Sequence, residues 1–408
     1  MFAHLTSQLE SEVQTALKVL ATNEAMRDLL ISRHDSAPTT GQQSTAAADE
    51  TTRVAEMLAS LVPAMPDKVD WQVYDHCAAV TRIYAVYERF VSDLVGEYVR
   101  QLPKLYEKYS DLPLSVTKQH RRGIGHILLK LGETGLYKNI EEEVVVAQLA
   151  AGLSGAAYTL LAEAFFIDRQ NLRLEALARL FGSLGFGNAG QFIEHHPAVL
   201  DFMSKDRTEG SSVEKELQTF IGYRNEAAHK KVENLLSKDE TAAVGRFICA
   251  LGHALADLVK FEIYRRHVEL KHFLVICKIT ETHYGGKVVV GVPYDGINLK
   301  VGDEIILWGE KGSRPATIES IELDGTKLTE TKGDGSREIG LRLSAKVPNV
   351  VELRSITIPP EPPKEIQLEL VEAMPPLADA ADSDLADATE ESTSSGEPGE
   401  EPGRESAL

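Results

Sequence analysis

Arg224, Asn225 and His229 fall close together in a run whose apolar residues, Val213, Leu217, Phe220 and Ile221, recur at helical spacing. Continuing that stripe puts Arg224 and Ala228 at the next core-facing positions. At about 100° per residue, Arg224, Asn225 and His229 span an arc of about 140° on the helix. A guanidinium does not give up its proton, so at a core-facing position it must meet an anion or line a wet cleft. A fixed cation, an amide and a titratable imidazole on one arc suit phosphodiester cleavage in RNA without a metal ion. Arginine can hold the phosphate and stabilise charge developing on its oxygens, while histidine can exchange protons with the 2′-hydroxyl or the leaving oxygen. The amide orients and exchanges no proton. The same spacing also arises from a salt-bridging arginine and a satisfied histidine near a helix end, so spacing alone leaves both readings open.

The elements that must position these groups are helical. Ser211 and Glu214 are expected to open the helix of Arg224. Val73, Cys77, Val80, Tyr84, Tyr87, Val91, Leu94 and Tyr98 alternate spacings of four and three, which predicts one core stripe of a long helix that Pro103 closes. Val244, Ile248, Leu251, Leu255 and Leu258 repeat the pattern behind a capping box of Ser237 and Glu240. Leu174, Leu177, Leu180 and Phe181 follow Asn171 and stop at Gly182 and Gly185. Phe2, Leu5, Leu9, Val13, Leu17 and Leu20 predict an N-terminal helix. After about Leu270 the period changes from 3.6 to 2. Runs at 273–279, 287–292, 304–308, 316–323, 339–346 and 350–356, separated by Gly, Asp and Pro, predict a small barrel.

The chain has 408 residues and a formal charge of −19. Its last 48 residues hold fourteen acids against Lys364 and Arg404, so −12 of that charge is in the tail and −7 in residues 1–360. Net charge therefore decides nothing about a nucleic-acid partner for the folded part. Residues 35–50 and the tail are poor in large apolar groups and are expected to be disordered. No membrane span and no signal peptide are expected. Cys77, Cys249 and Cys277 are odd in number and widely spaced, which argues against a disulfide framework or a thiolate zinc site and for a reducing cytoplasm. Phosphate-binding Gly-x4-Gly-Lys-Ser/Thr, His-Glu-x-x-His and Gly-x-Ser-x-Gly motifs are absent, and no dinucleotide fingerprint in a strand–turn–helix setting is present. His195 and His196, beside Pro197 and without ligands at zinc spacing, read as structural.

The string Phe220-Ile-Gly-Tyr-Arg224-Asn225-Glu-Ala-Ala-His229 resembles the signature of the HEPN superfamily, an Arg and a His four to six residues apart with a polar residue after the Arg. Asn171 to Phe186 and Tyr84 to Phe90 resemble upstream helices of the RiboL-PSP type of HEPN domain, extending the likeness over roughly residues 70–265. Lys230 stands where a glycine often follows the signature histidine, and the N-terminal extension has no counterpart. The resemblance implies a helical bundle that dimerises and brings two Arg/His helices into one cleft. It also implies a metal-independent, cofactor-free endoribonuclease of toxin, defence or RNA-processing systems, or else a non-catalytic binding module. The residues it carries over are Arg224, Asn225 and His229, with Glu88 in a supporting role. The implied partner is RNA (tRNA, mRNA or ribosome-associated), with no role for DNA or a membrane.

Lys118, Arg121 and Arg122, with His120, His126 and Lys130 nearby, could meet phosphates, as could Lys230 and Lys231; a charge run is usually a solvated helix face. Val290-Gly291, Gly296-Ile297, Leu299 to Ile305, Gly309, Ala316 to Ile321 and Gly340 to Leu343 resemble the second domain of elongation factor Tu and related translational GTPases. In those proteins the barrel packs against RNA and the ribosome, which implies an adaptor role here; a structural or protein-binding barrel is the alternative. The expected fold is multidomain α + β, an all-α HEPN-like bundle followed by a small translation-factor-type β-barrel and a disordered acidic tail. The expected boundaries are an N-terminal helix at 1–33, a disordered linker at 34–52, the HEPN-like helical domain at 53–270, the barrel at 271–360 and the tail at 361–408.

Overall fold

The structure, a computed structural model, describes residues 1–35, 53, 57, 60–131, 137, 139–167, 171–207, 210–229, 232–270, 273–309, 312–345 and 350–355. The acidic tail and most of the linker expected to be disordered lie outside the described residues.

Nine α-helices precede the strands among the described residues: α1 (Ala3–Asp35), α2 (Lys68–Leu105), α3 (Leu114–Lys130), α4 (Glu142–Ser154), α5 (Leu174–Ser183), α6 (Ala189–Glu194), α7 (Pro197–Asp206), α8 (Val213–His229) and α9 (Lys238–Glu269). The spine is α2. Asp67 caps its start by accepting a hydrogen bond from the Asp70 N–H at 2.8 Å, and Val80, Tyr84, Tyr87, Val91, Leu94 and Tyr98 are all buried. Pro103 does not close the helix. It sits in the last turn, where few further bonds remain to be lost, and the Tyr106 N–H still reaches the Leu102 carbonyl at 2.9 Å.

The linker separates α1 from the other helices in sequence only. Phe2, Leu5, Leu9 and Val13 join the same buried cluster as α2 and α9. The approach to α9 is close because two of its facing residues are glycines: a Cβ on Gly252 would lie 2.2 Å from Leu9 Cδ2, and one on Gly245 would lie 2.9 Å from Val13 Cγ1. An ionic seam runs antiparallel along α2, from His4 with Glu97 (2.7 Å) through Glu12 with Arg82 (2.9 Å) to the buried pair Arg27 with Asp75 (2.9 Å).

Both hydrogen bonds of the Ser237–Glu240 capping box form at the start of α9, at 2.7 and 3.2 Å. Among the described residues α9 is the one helix long and apolar enough to cross a membrane, yet most of that stretch is buried inside the protein. It is a core helix. The cap of α8 is Ser212, one residue later than the sequence pattern suggests, with its hydroxyl accepting from the Lys215 N–H at 3.2 Å.

The strands form a closed antiparallel barrel. Its six staves are β1 (Val275–His283), β2 (Val288–Pro293), β4 (Glu304–Gly309), β5 (Gly312–Leu323), β8 (Ile339–Leu343) and β9 (Val350–Ser355). They pair in the order β4-β9-β1-β2-β8-β5, and β5 returns to β4 to remove the open edges. The six period-2 runs of the sequence are these six staves. Three further strands, β3 (Asn298–Lys300), β6 (Thr326–Leu328) and β7 (Glu330–Lys332), are each too short to show a period. Inside lie Cys277, Val289, Leu307, Ile318, Leu341 and Leu353. Tyr264 at the end of α9 packs with Phe273 and Ile306 in a separate small cluster that joins helix to barrel.

Candidate active site

The site is built where α8 crosses α2. Leu217, Phe220 and Ile221 are buried there, and the Phe220 ring lies 5.8 Å from that of Tyr84. One turn on, Arg224 leaves the core half-exposed. Its guanidinium carbon stands 4.8 Å from the centre of the Tyr84 ring, a cation–π contact of about 0.5 to 2 kcal/mol. Nη1 of Arg224 donates to Oδ1 of Asn225 at 3.1 Å. Arg224 makes no ion pair among the described residues.

Tyr84 is itself tied down. Its hydroxyl donates to Oδ1 of Asn171 at 3.3 Å, and the neighbouring Tyr87 hydroxyl donates to the Leu172 carbonyl at 3.0 Å. Burial, reinforced by the Glu88 carboxylate, raises the Tyr84 phenol well above its ordinary pKa. It therefore stays neutral, a fixed platform under the guanidinium.

Arg224 opens onto a cleft of about 680 Å³, within the size range of small-molecule sites. Glu88, Arg89, Glu163, Phe166 and Asn171 share its lining. Glu88 is exposed on the wall, one helical turn after Tyr84. Arg89 is drawn to Glu12 of α1, which also holds Arg82, and these hydrogen bonds and charges lower the Glu12 pKa. Among its described lining residues the cleft thus presents two carboxylates and one guanidinium uncommitted to an ion pair.

Of the residues expected from sequence, Arg224, Asn225 and Glu88 come together at this place. His229 is the last residue of α8; its side chain, and Lys230 and Lys231, lie outside the described residues. Lys118, Arg121 and Arg122 are exposed on α3 and are not among the cleft's lining residues. Arg121 lies 5.7 Å over the Tyr109 ring. His120 points inward, its Nε2 accepting from the Leu161 N–H at 3.3 Å and its Nδ1 3.1 Å from the Tyr109 hydroxyl. His195 and His196 serve the backbone and α9: His195 bonds the Gln191 carbonyl at 2.8 Å, and His196 caps α7 and meets Asp257 at 3.1 Å. Two residues past Arg224, Glu226 acts on buried His76 of α2, whose pKa burial nevertheless lowers. No group of three His, Cys, Asp or Glu side chains placed to share a metal ion occurs among the described residues.

Sequence reasoning missed Glu163, Phe166 and the platform role of Tyr84. Glu163 lies in a 3₁₀ turn at Ala162–Phe165 and Phe166 directly follows it, and no local spacing connects that turn to Arg224. The one available signal was Tyr84 itself, four residues before Glu88 in the segment that resembles a HEPN helix.

No curated protein matches the chain. Among solved structures, the C-terminal domain of a Geobacillus thermoleovorans protein described as a U32 peptidase is similar over 20% of this chain and 99% of its own length. The identity is 12% and the TM-score 0.18, too slight to bear on function. The RiboL-PSP-HEPN family model matches residues 49–260, from before α2 to within α9. That span is just over half of the sequence and contains Tyr84, the cleft and the whole Arg224–His229 segment, so the chain belongs to the RiboL-PSP-HEPN family.

Proposed function

We propose that the protein is a metal-independent endoribonuclease of a toxin, defence or RNA-processing type. The observation that carries this reading is Arg224: a half-exposed guanidinium stacked on a neutral tyrosine, without an ion-pair partner among the described residues, at the mouth of a cleft. Such a cation is poised for an external anion. Family membership supports a nuclease or RNA-related role. In the proposed reaction Arg224 holds the scissile phosphate, and the adjacent 2′-hydroxyl loses its proton as its oxygen attacks phosphorus. The P–O5′ bond breaks and the leaving oxygen takes up a proton, with His229 handling protons and Asn225 orienting the phosphate. The products carry a 2′,3′-cyclic phosphate and a 5′-hydroxyl. DNA, lacking the nucleophile, is not cut.

The same proposal includes a cytoplasmic homodimer formed through the helical domain, with two α8 helices sharing one cleft. The barrel, by its order of glycines similar to the second domain of elongation factor Tu, serves as the adaptor to RNA or the ribosome. The deciding experiment incubates purified protein with total RNA in EDTA. Wild type is expected to leave cyclic-phosphate ends, while Arg224→Ala and His229→Ala each lose about 10² to 10⁴ in rate with helicity unchanged. Asn225→Ala should lose less. RNA left intact, or 5′-phosphate products that require Mg²⁺, would refute the reading in favour of a non-catalytic binding module.

A further inference from the structure

The described residues lining the cleft beside Arg224 form a set that a phosphate site alone does not explain. A phosphate needs Arg224, but Glu88 and Glu163 on the same lining repel further phosphates, and Arg89 is already committed to Glu12. The same lining that holds Arg224 combines an apolar ring, Phe166, with the exposed carboxylate of Glu163 three residues before it. Glu163 makes no side-chain hydrogen bond or ion pair among the described residues. An aromatic face beside a hydrogen-bonding group is how unpaired RNA bases are read, by stacking and by contacts to the Watson–Crick edge.

A carboxylate only accepts hydrogen bonds at neutral pH. Guanine offers two adjacent donors, N1–H and N2–H, that match its two oxygens. Adenine and cytosine each offer one amine beside a ring nitrogen whose lone pair faces the carboxylate, and uracil offers one N–H between two carbonyls. We infer that this cleft is a guanine-recognition subsite, in which Glu163 accepts from N1–H and N2–H, Phe166 stacks on the base, and Arg224 holds the attached phosphate. The inference deepens the ribonuclease reading, on which it rests, by naming the base next to the cut.

The test uses the full-length protein and four nucleotides with no internucleotide bond to cleave: the 5′-monophosphates of guanosine, inosine, adenosine and cytidine, titrated by calorimetry or NMR. A bidentate side-chain-to-base contact discriminates by about tenfold or more, so guanosine monophosphate should bind at least about tenfold tighter than the others. Inosine, which lacks N2–H, is the sharpest control. Glu163→Gln, at an exposed position that spares the core, should abolish that preference and bind adenosine monophosphate at least as tightly as the wild type does, because an amide accepts from N6–H and donates to N1. Phe166→Ala should weaken all four. Equal affinity for the four nucleotides, no binding of any of them, or a guanine preference that survives Glu163→Gln overturns the inference. Failure of the ribonuclease reading has a separate signature, intact RNA with the same preparation, and does not depend on how the four nucleotides rank.

Discussion

Lowering the pH should destabilise the helical domain through one buried histidine. His120 is 1% exposed. Its Nε2 accepts the Leu161 N–H, so the proton of the neutral ring sits on Nδ1, which faces the Tyr109 hydroxyl. A second proton would have to displace the Leu161 bond and bring a charge into the core, beside the Arg121 guanidinium. Burial first, and then that charge, lower the His120 pKa to about 4. The unfolded chain binds this proton with a pKa near 6.5, so between the two values the unfolded state holds more protons and stability falls as pH falls. From pH 7 to pH 5 the linkage amounts to about 2 kcal/mol, at about 1.4 kcal/mol per unit of separation. Urea unfolding followed by circular dichroism at the two pH values would measure it, with His120→Gln as the non-titrating reference. The wild type should lose about 2 kcal/mol more than the variant over that interval. Equal losses in the two proteins, or an NMR titration of the His120 ring near pH 6.5, would refute the argument.

Substitutions at three places test other parts of the structure. Gly123→Ala places a Cβ 2.0 Å from the Ala164 carbonyl oxygen, backbone that cannot swing aside, and should cost about 3 kcal/mol or more, read as lost solubility or a lower unfolding midpoint. Asp75→Ala removes the close, buried partner of the Arg27 guanidinium, itself 4% exposed, and leaves it only Glu24 and Asp28 at 3.9 and 4.0 Å; it should cost about 3 kcal/mol by denaturant titration, whereas the paired change Arg27→Met with Asp75→Leu should recover most of it. Tyr84→Phe keeps the ring beneath Arg224 and should retain most RNA cleavage; Tyr84→Leu removes the platform and should lose about tenfold, the equivalent of about 1.4 kcal/mol in a rate assay.

The helices, the six staves of the barrel and the acidic tail's composition were legible because each is a local property. A 3.6-residue period over Val73 to Tyr98, a capping box at Ser237 and alternation in Val288 to Pro293 need no knowledge of distant residues. The motif Arg224-Asn225-His229 was legible for the same reason, all three residues sharing one helix. Where the local pattern stopped short, the deviations were small and have physical causes: α2 runs two residues past Pro103, and the cap of α8 falls on Ser212.

Composition, periodicity and the short motif by themselves determined that this chain makes a helical body and a closed barrel, and that a guanidinium, an amide and an imidazole ride on one helix. Only the tertiary structure decided what that guanidinium faces. Tyr84, Glu163 and Asn171 come from segments 140, 61 and 53 residues away from Arg224 in the chain. They meet because α2, α8 and the 162–165 turn bury their apolar faces in one core, and their polar groups come along at the core's edge. Burial is driven by area and is indifferent to sequence separation, so a cleft assembled by it leaves no spacing to read. The place of α1 was settled in the same way. Its sequence predicts a helix, but the glycines of α9 that admit it and the arginines of α2 that pair with Glu12 belong to surfaces that exist only after folding.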